Sequence, residues 1–248
     1  KFKKGDKVIL NGWGVGEKHF GGFSEYARVN GNWLTHLPKN LNEKNCMIIG
    51  SAGYTAALCV LELNKKVNPK DGKVIVTGAS GGVGSIAVNL LSELGYYVVA
   101  LSNKQKRFLF SLGAKEVLNR SEFDKDPRLI DKGLWDGVVD TVGGKILANA
   151  IVQTNPNGII AVCGNANTNE LNTNVIPFML RGIKMWGMDS ANCSIKRREF
   201  IWGEASNLIN FDLLEKSIQT VSLEELVEVY PKILKGEISG RVLVDLNK

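Results

Sequence analysis

A glycine-dense turn at residues 77–84, Thr-Gly-Ala-Ser-Gly-Gly-Val-Gly, is the strongest constraint on the fold of this chain. A β-branched run precedes the turn, and an apolar segment with the character of a helix follows at 83–94. Because Gly81, Gly82 and Gly84 carry no side chain, a pyrophosphate could approach the backbone at the helix N-terminus. The turn therefore predicts a dinucleotide-binding strand, turn and helix, with a purely structural turn as the alternative.

The next strand indicates which dinucleotide would bind. Residues 96–101, Tyr-Tyr-Val-Val-Ala-Leu, end about 20 residues past the turn, where a carboxylate would bind the ribose 2′-OH of NAD. The chain instead carries a hydroxyl, an amide and three cations, which are Ser102, Asn103, Lys104, Lys106 and Arg107. Such groups suit a 2′-phosphate, so NADPH is the predicted cofactor, and a solvated basic turn is the alternative reading.

Composition limits the class of protein. The chain has 248 residues, 44% hydrophobic and 23% charged, which fits one large α/β domain or one such domain with part of a second. The net charge of +6 is spread along the chain without a basic and aromatic run, so we expect no nucleic-acid partner. We also expect no membrane partner, because no apolar stretch reaches the roughly 18 residues of a membrane span and the N-terminus is not signal-like.

The four cysteines and two histidines bear on location and metal binding. Cys46, Cys59 and Cys163 lie in apolar runs, and none of the four cysteines forms a CxxC pair, so we expect free thiols and a cytoplasmic location. His19 and His36 have no cysteine or carboxylate at ligand spacing, so we expect no metal site. The first residue is a lysine that leads almost directly into a strand, and we therefore expect sequence upstream of it.

Hydrophobic patterning divides the chain into a β-rich start and an alternating remainder. Short strands at 7–10, 25–29 and 33–37 look like part of a barrel, and a helix is predicted over 42–63. Continuous apolar strands then alternate with helices, which predicts a doubly wound parallel sheet. The predicted strands are 73–77, 96–101, 115–118, 136–140, 158–163, 183–187 and 240–244, and the predicted helices are 83–94, 104–112, 144–153, 194–208 and 223–235.

Two dehydrogenase families contain such a turn. The short-chain family requires a tyrosine with a lysine four residues later, whereas Tyr96, Tyr97 and Tyr230 are followed at that spacing by alanine, leucine and leucine. That family is therefore excluded. The chain resembles instead the quinone-reductase branch of the medium-chain dehydrogenase/reductase superfamily, and within it the acrylyl-CoA reductase group. The resemblance runs from end to end and is carried by residues 11–17, 47–56, 79–84, 140–143, 177–181, 187–190 and 240–241.

The resemblance implies an α/β fold with a doubly wound Rossmann sheet and part of a β-rich GroES-like catalytic domain. It implies a partial catalytic domain at 1–41, an NADPH-binding domain at 42–188, and C-terminal helices and strands at 189–248 that return to the catalytic domain. The implied protein is a homodimeric, zinc-free reductase that uses NADPH on the carbon–carbon double bond of acryloyl-CoA or a similar 2-enoyl thioester. A quinone substrate and a non-catalytic NADPH-binding module are the alternatives.

The resemblance also implies the cofactor contacts. They fall on Ser80, Gly81, Gly82, Val83, Ser102, Asn103, Lys104, Arg120, Asn165, Met179 and Ser190. Arg120 is predicted to contact a phosphate, and Asn165 to make its contact through the backbone. The Asn-Tyr-Lys-Asp segment that approaches the nicotinamide in the group belongs to the upstream part, so no catalytic residue is predicted within these 248 residues.

Overall fold

A parallel six-stranded sheet forms the centre of the computed structural model, which describes residues 1–70 and 72–248. Its strands stand in the order β5, β4, β3, β6, β7, β8. They are β3 Lys73–Thr77, β4 Tyr97–Leu101, β5 Glu116–Leu118, β6 Trp135–Asp140, β7 Thr154–Val162 and β8 Lys184–Gly187. The strand order reverses between β3 and β6, which is where open sheets of this kind bind ligands. The predicted doubly wound fold is confirmed.

Helices cover both faces of this sheet. Val74 and Val76 point into a core shared with two helices before and after β3, whereas Ile75 packs on the opposite face against a later helix. This alternation explains why β3 is apolar without interruption. The helices are α1 Glu43–Asn64, α2 Gly82–Glu93, α3 Lys106–Ser111, α4 Gly144–Val152, α5 Ile176–Arg181, α6 Ile195–Leu208, α7 Phe211–Glu215 and α8 Leu226–Leu234.

Helix α1 begins directly after Asn42, whose side chain caps it by accepting a hydrogen bond from the Asn45 amide. It bends at Gly50, whose φ of 50° and ψ of −160° are not helical. Contrary to the prediction from sequence, α1 is long and apolar enough to cross a membrane by length and composition. However, 67% of its most apolar window is buried inside the fold, as expected for a core helix.

The N-terminal region contains less β-structure than predicted. β1 Val8–Ile9 and β2 Thr35–His36 form an antiparallel pair, preceded at β2 by a 3-10 turn over Gly31–Trp33. The predicted strand at 25–29 is wrong, since the structure shows no strand there and Tyr26 is 89% exposed. This segment pairs with no neighbouring strand among the described residues, and a strand without a ladder partner is not stable.

A second small sheet lies near the C-terminus. β9 Ile218–Val221 and β10 Arg241–Val244 pair in parallel, and Val221, Leu226 and Val229 form a separate core beneath them. β10 therefore pairs with β9, whereas its predicted return to the N-terminal domain stays a prediction. The domain boundaries at 41 and 188 also stay predictions, although the main core includes both Ile9 and Trp202.

Candidate active site

The glycine turn between β3 and α2 closes tightly. Gly81 is the N-cap of α2 and accepts a hydrogen bond from the Ser85 amide at 2.9 Å. A Cβ on Gly84 would lie 2.7 Å from the Ala79 Cα and closer still to the Gly78 carbonyl oxygen. Only glycine fits at that position without moving the backbone. The turn thus leaves the α2 N-terminus bare, and free backbone amides at a helix N-terminus favour an anion.

A cleft of about 400 Å³ lies beside this turn, and we call it the first cleft. It is formed at the carboxyl ends of β3, β4, β5 and β6, which meet at one edge of the sheet. Most of the predicted cofactor contacts line it, namely Ser80, Gly81, Gly82, Val83, Ser102, Asn103, Lys104 and Arg120. The structure therefore brings together three stretches of chain that are separated by up to 40 positions in sequence.

The loop after β4 is held in place by hydroxyl contacts. The hydroxyls of Ser80 and Ser102 lie 3.0 Å apart, and the Ser102 Oγ accepts a hydrogen bond from the Lys104 amide at 3.1 Å. The Lys104 ammonium contacts the Gly236 carbonyl oxygen, which lies across the cleft after α8. Ser102 and Lys104 are thus fixed at the end of β4, whereas Lys106 and Arg107, the other two cations predicted to suit a 2′-phosphate, do not line the first cleft.

Arg120 extends from the other side of the first cleft. It opens a 3-10 turn that the Asn119 side chain caps, and its amide donates to the Asn103 Oδ1 at 2.7 Å. Its Nη2 donates to the Asn167 Oδ1 at 3.0 Å. Its Nε is buried and has no hydrogen-bond partner in the part of the chain that the structure describes. Sequence reasoning placed Arg120 in the cleft but gave no signal for Asn167.

The remaining predicted contacts lie elsewhere. Asn165 lines a separate hollow with Gly143 and Gly164, and its amide contacts Asn169. Met179 is 74% exposed on α5, and Ser190 lies on the loop after β8. An extended dinucleotide would have to leave the first cleft to reach these side chains.

Ser190 belongs to a second cleft of about 430 Å³. Its walls come from the loop at 11–18, the kinked start of α1, and the loop at 190–192. Ser51 lines this second cleft, while the neighbouring Ala52 Cβ lies 3.5 Å from the position that a Cβ on Gly82 would take. The bend of α1 therefore joins the two clefts.

Hydroxyl groups fix the donor direction at this junction. The buried Thr55 hydroxyl donates its one proton to the Ser51 carbonyl oxygen at 2.8 Å, within its own helix. The Ser190 hydroxyl, 2.8 Å from Thr55 Oγ1, must then act as the donor in that contact. Ser190 consequently offers only lone pairs to a ligand in the second cleft, so it can accept an N–H.

A buried arginine supports the wall of the second cleft. The Arg198 guanidinium lies between the rings of Trp13 and Tyr54, 5.2 Å and 5.1 Å from their centroids. Its Nη2 donates to the Ala191 carbonyl oxygen at 3.0 Å, and burial lowers the pKa of Arg198. Trp13 has a φ of 58°, which is unfavourable for a bulky residue and is held by these contacts. Sequence reasoning missed Arg198.

A second cation, the half-buried Arg241, lies under the glycine turn. The Arg241 Nη1 is 3.0 Å from the position of a Cβ on Gly82, and its Nε donates to the Ile48 carbonyl oxygen at 3.1 Å. Burial lowers the pKa of Arg241. This places a positive charge next to the N-terminus of α2, on the side of α1. The resemblance included Arg241 only as part of a matching string.

Within residues 1–70 and 72–248, no three histidine, cysteine or acidic side chains group as metal ligands. The rings of His19 and Trp33 pack 4.7 Å apart, as do those of His36 and Phe2. Burial raises the pKa of the Cys46 thiol to about 11, which disfavours the thiolate form that binds metal. These side chains do not fit a zinc site.

Comparisons with known proteins agree with this geometry. A family model described as zinc-binding dehydrogenase matches residues 82–205. The chain is 40% identical over 251 residues to acrylyl-CoA reductase AcuI of Ruegeria pomeroyi, covering 100% of this chain and 76% of that protein. The chain belongs to the medium-chain dehydrogenase/reductase superfamily. As an oxidoreductase of this superfamily, it lacks the zinc-ligand grouping that the family description suggests, within its described residues.

Two solved structures of superfamily members are closely similar. The yhdH oxidoreductase of Salmonella enterica, in complex with NADP, has a TM-score of 0.96 at 43% identity, covering 99% of this chain and 76% of that one. The yhfP protein of Bacillus subtilis, with NAD bound, has a TM-score of 0.93 at 41% identity, with coverage of 99% and 76%. Relatives at similar distance thus carry both dinucleotides, so cofactor choice depends on local residues.

Proposed function

We propose that this chain binds NADPH in the first cleft and reduces the activated carbon–carbon double bond of acryloyl-CoA or a similar 2-enoyl thioester. One observation carries the cofactor choice. The end of β4 presents Ser102 and Lys104, and the first cleft has no aspartate or glutamate among its described lining residues. A ribose 2′-OH would require such an acceptor, whereas a 2′-phosphate requires donors and cations.

The cleft also fits the rest of a dinucleotide. Gly81 and Gly82 leave space where side chains would otherwise stand, and the open α2 N-terminus would receive the pyrophosphate with Arg241 behind it. Ser102, Lys104 and Arg120 would hold the 2′-phosphate at the other end. The nicotinamide would then enter the second cleft, where Ser190 could accept a hydrogen bond from its carboxamide.

When bound, the cofactor supplies a hydride for the β-carbon of the substrate. The chain contributes the walls: Trp13 and Trp33 line the second cleft and exclude water from the reacting atoms. Arg198 keeps Trp13 in its position, so we assign it a positioning role. Negative charge develops on the thioester oxygen during reduction and needs hydrogen-bond donors. We assign no catalytic residue within the described chain.

A quinone is the second candidate acceptor, because the flat rings of Trp13 and Trp33 could stack against a planar ligand. A non-catalytic NADPH-binding module is the third. The test is the oxidation of NADPH by the full-length protein in the presence of acryloyl-CoA, crotonyl-CoA or simple quinones. We expect the fastest turnover with acryloyl-CoA. A preference for quinones would replace our substrate, and NADPH binding without turnover of any acceptor would favour the module.

We further propose that the protein is a homodimer. β8 is an edge strand of the central sheet, and the adjacent helix α5 exposes Met179 and Leu180, 74% and 71% accessible. An open edge beside an apolar patch favours pairing with a second copy. Sedimentation of a monomer at micromolar concentration would contradict this. We also propose that the protein is zinc-free and cytoplasmic, and that it has no nucleic-acid or membrane partner.

A further inference from the structure

The contact between Arg120 and Asn167 crosses the first cleft. Arg120 follows β5, an edge strand of the central sheet, while Asn167 lies in the loop between β7 and α5. Two strands, β4 and β3, stand between β5 and β6 in the sheet. The Arg120 Nη2 donates to the Asn167 Oδ1 at 3.0 Å, so this side-chain pair spans the mouth of the cleft.

Asn167 is anchored independently of Arg120. Its backbone N–H donates to the Val142 carbonyl oxygen at 3.0 Å, which ties the loop to the segment after β6. Its Nδ2 lies 3.1 Å from the position that a Cβ on Gly144 would take. Gly144 has a φ of +59° and no side chain, so the side-chain amide of Asn167 occupies the space that a side chain at position 144 would fill. The backbone of Asn167 is therefore fixed, and the packing of its side chain against Gly144 limits where the acceptor oxygen can lie.

Arg120 is fixed at its backbone but has a long, flexible side chain. The Asn103 Oδ1 and the Asn119 cap hold its backbone, and neither contact restrains the guanidinium. Asn167 is the hydrogen-bond acceptor that the described structure gives to this guanidinium, and the buried Nε has no partner among the described residues. Restraining a flexible cation before binding lowers the entropic cost of using it.

We infer that Asn167 is a positioning residue for selectivity between NADPH and NADH, an inference that rests on the proposed NADPH site. Asn167 holds the Arg120 guanidinium across the cleft, where the 2′-phosphate of NADPH would bind. NADH lacks this phosphate, so Asn167 should affect the binding of NADPH and not the binding of the groups that both dinucleotides share. A neutral amide suits this role, because a carboxylate at the same place would pair with Arg120 and oppose the phosphate charge.

The experiment measures the dissociation constants of NADPH and NADH by calorimetry for five proteins: wild type, Asn167→Ala, Asn167→Asp, Arg120→Ala and the Arg120→Ala/Asn167→Ala double variant. Asn167→Ala should weaken NADPH about fivefold and NADH less than twofold. Asn167→Asp should weaken NADPH at least as much, since the guanidinium becomes neutralised. The double variant should bind NADPH no more weakly than Arg120→Ala alone, because Asn167 acts through Arg120.

Asn169→Ala is the matched control, since Asn169 lies in the same loop and contacts Asn165 instead. It should leave both dissociation constants unchanged. Equal losses for NADPH and NADH in Asn167→Ala, or additive losses in the double variant, would overturn the inference while leaving the NADPH site intact. A wild-type protein that binds neither dinucleotide would overturn the proposed function itself, and one that binds both equally would refute the selectivity.

Discussion

The glycine turn makes a quantitative prediction about Gly84. A Cβ in Gly84→Ala would lie 2.7 Å from the Ala79 Cα and nearer still to the Gly78 carbonyl oxygen. Both neighbours belong to the backbone, so no side-chain rotation can relieve the contact. Forcing a group into a packed site costs about 3 kcal/mol at the upper end of the usual range. Alanine is more favourable than glycine in a helix by about 1 kcal/mol of free energy, which offsets part of this cost.

The expected net loss is therefore about 2 kcal/mol in the free energy of unfolding. For a chain of this size that corresponds to a decrease in Tm of about 4–8 °C. Thermal unfolding followed by circular dichroism measures the decrease, and urea titration measures the free energy at constant temperature. Because the turn itself must shift, we also expect Gly84→Ala to bind NADPH more weakly.

Gly81→Val is the matched comparison. Gly81 has a φ of −79°, which any residue adopts, and its Cβ would meet only the Gly78 carbonyl oxygen, at 3.3 Å. This variant should keep nearly the wild-type Tm and lose binding of both dinucleotides, because its side chain enters the first cleft. An unchanged Tm in Gly84→Ala would refute the packing argument, and wild-type NADPH affinity in Gly81→Val would show that the turn is only structural.

The remaining predictions concern selectivity, pH and metal. NADPH should bind at least about tenfold tighter than NADH, and Lys104→Ala should weaken NADPH while leaving NADH nearly unchanged in calorimetry. Lys106→Ala is the control, because Lys106 is exposed at the start of α3 and does not line the first cleft. Burial raises the pKa of Tyr96 to about 12 from an ordinary value near 10. Its neutral phenol therefore stabilises the fold fully below about pH 10 and loses that contribution as the pH rises toward 12, so urea titrations at the two ends should show a smaller pH effect in Tyr96→Phe. Chelation should leave activity unchanged, and stoichiometric zinc in elemental analysis would contradict the metal prediction.

The central sheet could be predicted from sequence because its strands are buried on both faces. A strand of this kind is apolar without interruption, and the predicted bounds 73–77 match β3. Sequence reasoning missed β9, whose residues Gln219 and Thr220 are exposed, and α5, which is only six residues long. It predicted a strand at 25–29 from a short β-like segment bounded by glycines. Such a pattern describes a single strand, whereas the stability of a strand depends on a neighbouring strand that the pattern cannot identify.

The candidate site was predictable to a similar depth. The glycine turn and the polar groups after β4 lie on short segments whose geometry follows from local sequence, so they could be placed in one cleft. Arg198 and Asn167 could not be found in this way. Each acts through a partner far away in the chain, Trp13 for Arg198 and Arg120 for Asn167, and their own sequence neighbourhoods carry no motif.

The half-buried Arg241 has a consequence for how this sequence can change over time. Its guanidinium occupies space opened by two glycines from different parts of the chain: a Cβ on Gly50 would lie 2.6 Å from Nη2, and one on Gly82 would lie 3.0 Å from Nη1. A side chain on either glycine would force the guanidinium to move. Once the arginine is replaced by a smaller residue, the steric constraint on both glycines is relaxed, although the left-handed φ of Gly50 still disfavours other residues there. Among related sequences, position 82 should therefore covary with position 241, while position 50 should stay glycine more often.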